Sequence, residues 1–301
     1  MDTKNLLEVE KLSVTYKDRN GAPFNAVKGI SFSLQKGHVL GLVGESGCGK
    51  TTTGRAIIGL NKISGGQIYF NGNLIASAAP TKEEKNLIKK VPVSEKTKIQ
   101  MIFQDPVSSL DPRMTVREII AEGLRIRGIK KEDEISEKVS KALSKVGLLS
   151  EYQNRYPHEF SGGQKQRIGI ARAIIMEPEL IIADEPVSAL DVSIKAQITN
   201  LLDDLRKDMG LSIIFISHDL SIVKHFADTV AVMYFGHIVE MASAEVLFSN
   251  PLHPYTQALL SAIPIPDPKS ERKRKRLFFT DDGSMEGKSL KEVAPNHYLL
   301  S

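Results

Sequence analysis

Nine residues early in the chain, 44–52, read Gly-Glu-Ser-Gly-Cys-Gly-Lys-Thr-Thr, and their types suit one kind of chemistry. Gly44, Gly47 and Gly49 permit backbone angles that other residues resist, so successive N–H groups can turn inward around phosphate oxygens. Lys50 is placed to reach the β- and γ-phosphates of a nucleotide, and the Thr51 hydroxyl to join a Mg²⁺ shell. Glu45, Ser46, Cys48 and Thr52 complete the loop that wraps them. The dipole of a helix following the loop adds only about 0.3–1 kcal/mol per charge, so lysine and metal must supply much of the rest. Cys48 admits two readings: a thiol activated near a helix N-terminus, or a small residue tolerated in a tight loop.

Other strand ends carry further polar groups. The apolar run 180–183 delivers Asp184, suited to a water-mediated Mg²⁺ contact, and Glu185, placed to polarise a water in line with the γ-phosphate. Run 99–103 ends at Gln104, whose amide oxygen can join a Mg²⁺ shell. Run 212–217 ends at His218, which can bond a phosphate or orient a carboxylate. Read singly, Gln104 suits a plain loop position and His218 a structural one. Tyr16 closes the first strand, either to stack on a base or to pack in the sheet. Ser161, Gly162, Gly163 and Gln164 open a long helix running to about 176, with Ser161 as N-cap and the glycines exposing N–H groups, a second anion site. A chain that folds once has little use for two such sites unless two copies meet.

These groups need a scaffold, and the pattern around them supplies one. Val39–Val43 reads as a buried parallel strand before the loop, and 54–60 has helical spacing after it. Ahead of them, 6–16 and 24–34 read as strands; behind them, 64–72 reads as a turn and strand closing on an Asn-Gly hairpin signal. Residues 76–98 are polar and lysine-rich surface with a short helix over 82–90. From 115 to 147 the apolar positions Val116, Ile119, Ile120, Leu124, Ile135, Val139, Leu143 and Val146 predict an inserted helical lobe. Residues 188–191 form a turn, and 229–241 a hairpin about Phe235 and Gly236. A short helix over 255–263 precedes a stiff linker at Pro264, Pro266 and Pro268. Residues 269–276 hold six basic side chains and one glutamate, either a solvated run or a contact for anionic headgroups. The tail regains order-like content only at 277–279 and 297–300.

Composition narrows the classes. The chain has 301 residues, 41% hydrophobic and 25% charged, as in ordinary globular proteins. A net charge of +4 is too mild to argue for nucleic acid. Its single cysteine, Cys48, excludes an intramolecular disulfide and a Cys-ligated cluster, and its seven histidines lack metal-site spacing. No apolar run approaches the length of a membrane span, and the N-terminus lacks the apolar core of a signal peptide. The expectation is a cytosolic location unless a partner holds the chain at a surface.

Taken together, GESGCGKTT, IFQDP, FSGGQKQR, IIADEP, SALD and ISHD occur in an order that resembles the ATP-binding cassette (ABC) family over about residues 6–265. Phe160 stands where many members have leucine. RYPHEFSGGQKQR and NPLHPYTQALLSAIPIPDP are similar to the oligopeptide and dipeptide importer ATPases, the second stretch most of all to the F-type subunit of oligopeptide importers. The resemblance implies an α/β, P-loop NTPase (RecA-like) core with an antiparallel β subdomain, an inserted α-helical subdomain and a short C-terminal extension. Its division would be 1–104 and 161–241 for the core, 105–160 for the helical part and 242–301 for the extension. It implies an ATPase energising peptide import. Tyr16 would stack on adenine; Lys50, Thr51 and Gln104 would hold phosphates and Mg²⁺ with Asp184; Glu185 would be the general base and His218 the γ-phosphate sensor. Ser161, Gly162, Gly163 and Gln164 would close over the ATP of a partner, with Ser188 and Asp191 at that interface.

The partners implied are a second, D-type ATPase, two transmembrane permeases received on residues 105–113, and an extracytoplasmic peptide-binding lipoprotein, with no nucleic acid. The chain would lie peripherally on the cytoplasmic face of the cell membrane. No iron–sulfur cluster is expected, because the C-terminal cysteines of some members are missing here. Importers of dipeptides, glutathione or nickel share these motifs. A soluble ABC ATPase acting on ribosomes or DNA would carry two cassettes or a long coiled coil, and a P-loop kinase leaves Ser161–Gln164 and His218 without a purpose.

Overall fold

The computed structural model describes residues 5–17, 21–263, 276–281, 285 and 287–301. The linker prolines and the basic run up to Lys275 lie outside these. The first two expected strands form as β1 (Asn5–Lys17) and β2 (Pro23–Gln35), paired antiparallel. They join β4 (Gly65–Phe70) and β5 (Asn73–Ser77) in a four-stranded sheet ordered β2-β1-β4-β5. Asn71 and Gly72 both take positive φ, as a tight hairpin turn requires.

A larger sheet is built around β3 (Val39–Val43), which pairs in parallel with β8 (Ser212–Ser217) on one side and β9 (Thr229–Tyr234) on the other. Parallel pairing continues from β8 to β7 (Leu180–Asp184) and on to β6 (Ile99–Ile102). Every residue of β3, β7 and β8 is buried, which is why these runs read as continuously apolar. Alternation nevertheless sorts them between two cores. Leu40, Leu42, Ile182, Ile214 and Ile216 face the small sheet and α1 (Lys50–Ile57). Val39, Val43, Ile181, Ala183, Ile213 and Phe215 face the opposite helices.

That second layer contains α6 (Gly162–Ile174), α7 (Val192–Met209) and α8 (Leu220–Phe226). The helical lobe, α4 (Val116–Ile126) and α5 (Glu132–Lys145), packs on α6. All eight apolar positions expected to face inward in this lobe are buried. Thr115 starts α4 with a reciprocal bond pair to Glu118. The lysine-rich surface forms α2 (Lys82–Lys90) and the short α3 (Val93–Lys96), neither with a buried residue.

Helix α1 begins at Lys50, four residues before the apolar spacing suggests, and ends at Ile57. Its first turn carries the polar residues Lys50, Thr51 and Thr52, so the apolar period is visible only later. Gly54 lets α1 approach the sheet: a Cβ there would sit 2.9 Å from Ile182 Cγ2.

The expected hairpin forms from β9 and β10 (His237–Ser243), followed by α9 (Ala244–Ser249) and α10 (Pro254–Ser261). The tail is more ordered than expected. Strands β11 (Leu290–Ala294) and β12 (His297–Leu300) make a second hairpin, and β12 extends the larger sheet beside β10. Their join is polar: Glu240, fully buried, accepts His297 Nε2 at 2.8 Å on Oε1. Leu252 N and His253 N donate to the same carboxyl at 2.8 and 3.0 Å. Among the described residues no helix is long and apolar enough to cross a membrane.

His297→Ala would strip one donor from this buried carboxyl and should lower unfolding stability by about 1–3 kcal/mol at unchanged denaturant slope. A midpoint identical to that of the parent would show that the terminal hairpin adds nothing to the sheet.

Candidate phosphate and metal site

The parallel strands end together, and their registers decide which side chains meet. Val43 pairs with Ser217, Asp184 with Ile216, and Ile102 with Ala183. The residues that follow, from Gly44, Glu185, His218 and Gln104, therefore emerge along one edge of the sheet, the position where open parallel sheets bind ligands.

The loop is confined by backbone on two sides. Gly44 has φ 146°, and a Cβ there would lie 2.2 Å from Met233 O; Gly49 has φ 109°, and its Cβ would lie 2.5 Å from Ala26 O. No other residue fits either place. Gly47 differs from these two. Its φ of 81° is also left-handed, but a Cβ there would meet nothing within 4 Å, so backbone angle alone calls for glycine and crowding does not. Lys50 is buried, and its ammonium donates to Gly44 O and Glu45 O, each at 2.8 Å, and to Cys48 Sγ at 3.6 Å. All three acceptors are neutral, so the loop encloses a positive charge that has no counter-charge among its direct contacts. Cys48 is buried, and burial outweighs Lys50 to push its thiol up. This favours the small-residue reading over an activated thiol.

Asp184 is fully buried. Its Oδ1 accepts the Thr51 hydroxyl at 2.7 Å, while its Oδ2 has no partner. Burial pushes this carboxyl up despite the Thr51 bond. An orphaned carboxyl oxygen beside a hydroxyl is an all-oxygen donor set, the kind Mg²⁺ takes, and it fits such an ion.

Glu185 adopts φ 46°, a left-handed conformation that costs a non-glycine residue about 1–3 kcal/mol. It is locked there by its N–H to Ile216 O and by Ser188, whose N–H and Oγ both donate to Glu185 O. Gln104 Nε2 donates to Glu185 Oε2 at 3.1 Å, and His218 Nδ1 lies 3.2 Å from the same oxygen. Three residues read singly as ambiguous or acidic are thus one cluster. Tyr16 is 40% exposed, its hydroxyl contacting Thr52 Oγ1 at 3.4 Å and accepting Asn61 Nδ2 at 2.8 Å. Its part-exposed ring stands beside the loop helix.

The second anion sequence is placed elsewhere. Ser161 caps α6, taking Gln164 N on its hydroxyl at 3.3 Å, and Gln164 Oε1 takes Ser161 N at 3.0 Å. Gly162 and Gly163 neighbour Leu190 and Ile194, beside Ser188 and Asp191, the N-cap of α7. No hydrogen bond joins this helix start to residues 44–52 among the described residues. Two residues escaped the sequence reading: Asn61, beside Tyr16, and Tyr255, whose hydroxyl accepts Glu45 N at 3.1 Å. Asn61 carries no local motif, and the NPLHPYTQALL stretch that holds Tyr255 gives no sign of a contact with Glu45.

Comparison with known proteins follows the same outline. A family profile described as ABC transporter matches residues 27–188, and one described as Oligopeptide/dipeptide transporter, C-terminal region, matches 239–278. The chain is 51% identical to the oligopeptide transport ATP-binding protein OppF of Bacillus subtilis, covering 99% of this chain and 96% of that one. It is 52% identical to OppF of Escherichia coli K12 over 90% of this chain and 81% of the other. Among solved structures, CbiO1 of Clostridium perfringens, part of the ABC transporter complex CbiONQ, superposes with a TM-score of 0.67 at 31% identity, covering 82% and 91% of the two chains. The ATP-binding cassette MJ0796, as a post-hydrolysis dimer bound to ADP and Pi, gives 0.67 at 25% identity over 79% and 98%.

Because burial raises its pKa, Asp184 ionises at a cost to the folded chain; that penalty is absent at low pH and grows as pH rises above the usual carboxylate range. At neutral pH, Asp184→Asn should therefore leave the nucleotide-free melting temperature unchanged or higher while abolishing Mg²⁺-dependent nucleotide binding. A lower melting temperature with intact Mg²⁺ dependence would contradict both halves.

Proposed function

The chain belongs to the ABC transporter family, and we propose that it is the ATP-binding, ATP-hydrolysing subunit of an oligopeptide importer. The observation that carries this is the convergence of Lys50, the Thr51–Asp184 pair and the Gln104–Glu185–His218 cluster on one sheet edge. It occurs in a chain half identical, over nearly its whole length, to an oligopeptide transport ATP-binding protein.

In this reading the N–H groups around residues 44–52 cradle the β- and γ-phosphates, and Lys50 keeps its two carbonyl acceptors while turning the donor that now meets Cys48 Sγ to phosphate oxygen, a charge-assisted and hence stronger bond. Thr51, Asp184 and Gln104 would hold Mg²⁺, which supplies neutralisation of charge on the phosphate oxygens. Tyr16 offers its ring to adenine. Glu185 takes a proton from the attacking water. His218, with its proton on Nδ1, and the Gln104 amide fix the carboxylate's direction, and the locked φ of Glu185 keeps it from swinging away.

Gly162 and Gly163, in the helix turn that Ser161 and Gln164 cap, present exposed N–H groups that serve a partner subunit's nucleotide, with Ser188 and Asp191 at the shared face. The mate is a related D-type ATPase. Two permeases seat on residues 105–113, which Arg172 of α6 ties to the signature helix through Ser109 O at 2.7 Å. A peptide-binding lipoprotein delivers cargo from outside, and the ATPase pair sits at the cytoplasmic face.

Glu185→Gln should bind MgATP with near-parental affinity, hydrolyse it about 100-fold or more slowly, and persist as an ATP-held dimer with its mate. Steady-state phosphate release and size-exclusion chromatography in ATP read both, and undiminished turnover would remove Glu185 from the role.

A further inference from the structure

Tyr255 carries the C-terminal segment to the phosphate loop. Tyr255, on α10, is 2% exposed, and its hydroxyl oxygen accepts Glu45 N–H at 3.1 Å. An N–H in such a cradle would ordinarily face phosphate; this one is turned back into the protein. The peptide bonds are all trans among the described residues, so the carbonyl of the same peptide unit, Gly44 O, points the other way. That carbonyl is one of the two that hold Lys50 Nζ, at 2.8 Å. One peptide plane therefore carries Tyr255 on one edge and the Lys50 ammonium on the other.

Tyr255 is itself fixed with little freedom. Its ring packs against Tyr234 and Phe279, with centroids 4.4 and 5.6 Å away. Tyr234 leads into the turn at Phe235 and Gly236, and Gly236 N–H bonds Cys48 O at 3.0 Å, so the same cluster grips the loop at a second point. At the start of α10, His253 Nδ1 accepts Tyr255 N–H at 3.1 Å, and Leu252 and His253 are anchored on Glu240. Burial holds the phenol well above its usual range, so it remains protonated across physiological pH.

We propose that Tyr255 is a positioning residue for nucleotide binding: through the Gly44–Glu45 peptide it sets the direction of that carbonyl and hence the place of the Lys50 ammonium. The C-terminal segment thereby tunes the affinity of the phosphate loop. This rests on the reading of residues 44–52 as the nucleotide site.

The test is Tyr255→Phe in the full chain, which keeps the ring and removes only the hydroxyl. Without nucleotide, amide hydrogen exchange should quicken in the peptide spanning 44–49 while β9, β10 and α10 keep parental rates. MgATP and MgADP should both bind about two- to tenfold more weakly, as expected for one lost hydrogen bond, because both carry the β-phosphate that Lys50 meets. Parental exchange in the loop together with parental affinities would overturn the proposal. So would faster exchange spread through β9, β10 and α10, which would make Tyr255 a packing residue only. The exchange measurement needs no nucleotide, so a parent chain that fails to bind MgATP would sink the nucleotide reading separately.

Discussion

Everything chemical in this protein hangs from the register of four parallel strands. Pairing of β6 with β7, β7 with β8, and β8 with β3 puts the carboxyl ends of neighbouring strands level to within a residue. A slip of one residue would flip every side chain to the other face, taking Leu40, Leu42, Ile182 and Ile216 out of one core and into the other. Burial on both faces forbids that. The apolar cost of misregister thus fixes where Asp184, Glu185, Gln104 and His218 emerge, although none of the four contributes to the cores themselves.

The site these strands present is held against its own preferences. Asp184 carries a carboxyl oxygen with no partner, Lys50 a charge surrounded by neutral acceptors, and Glu185 a left-handed backbone. Each costs stability in the free chain, and each would be relieved or used by a bound phosphate and a hard cation. A chain folded only to be stable would keep none of them. The cost is borne by a scaffold whose strands are wholly buried and whose helix α1 approaches the sheet closely at Gly54.

How legible this was in the sequence depended on how local the constraint is. Gly44 and Gly49 are demanded by backbone angles and by carbonyls at contact distance, and Gly47 by its backbone angle alone, so residue type reports all three directly. The strands announced themselves as apolar runs, and the lobe by its helical period. The start of α1 did not, because its first turn, Lys50 to Thr52, is polar. The terminal hairpin was read only in part: most of β11 is exposed, and His297 owes its burial to Glu240, 57 residues away. Tyr255 lies 210 residues from Glu45, and no spacing rule links them. Gln104 and His218 were each ambiguous alone; only the shared Glu185 oxygen makes them one group.

The two candidate anion sites differ in a way that bears on the proposed assembly. At residues 44–52 the loop is crowded from behind by Met233, Ala26 and Gly236, and its lysine is already buried. At the start of α6 the reverse holds. Ser161 and Gln164 satisfy each other's backbone donors, leaving the N–H groups of Gly162 and Gly163 to be met from outside the helix. Side chains of Leu190 and Ile194 stand beneath those glycines, and a Cβ on Gly163 would come within 2.9 Å of Ile194 Cγ2. The exposed donors are therefore backed by apolar packing. In the proposed assembly such a helix start would position a phosphate while much of the charge that holds it came from elsewhere. A loop on a facing subunit with its own buried lysine would there supply what this one lacks.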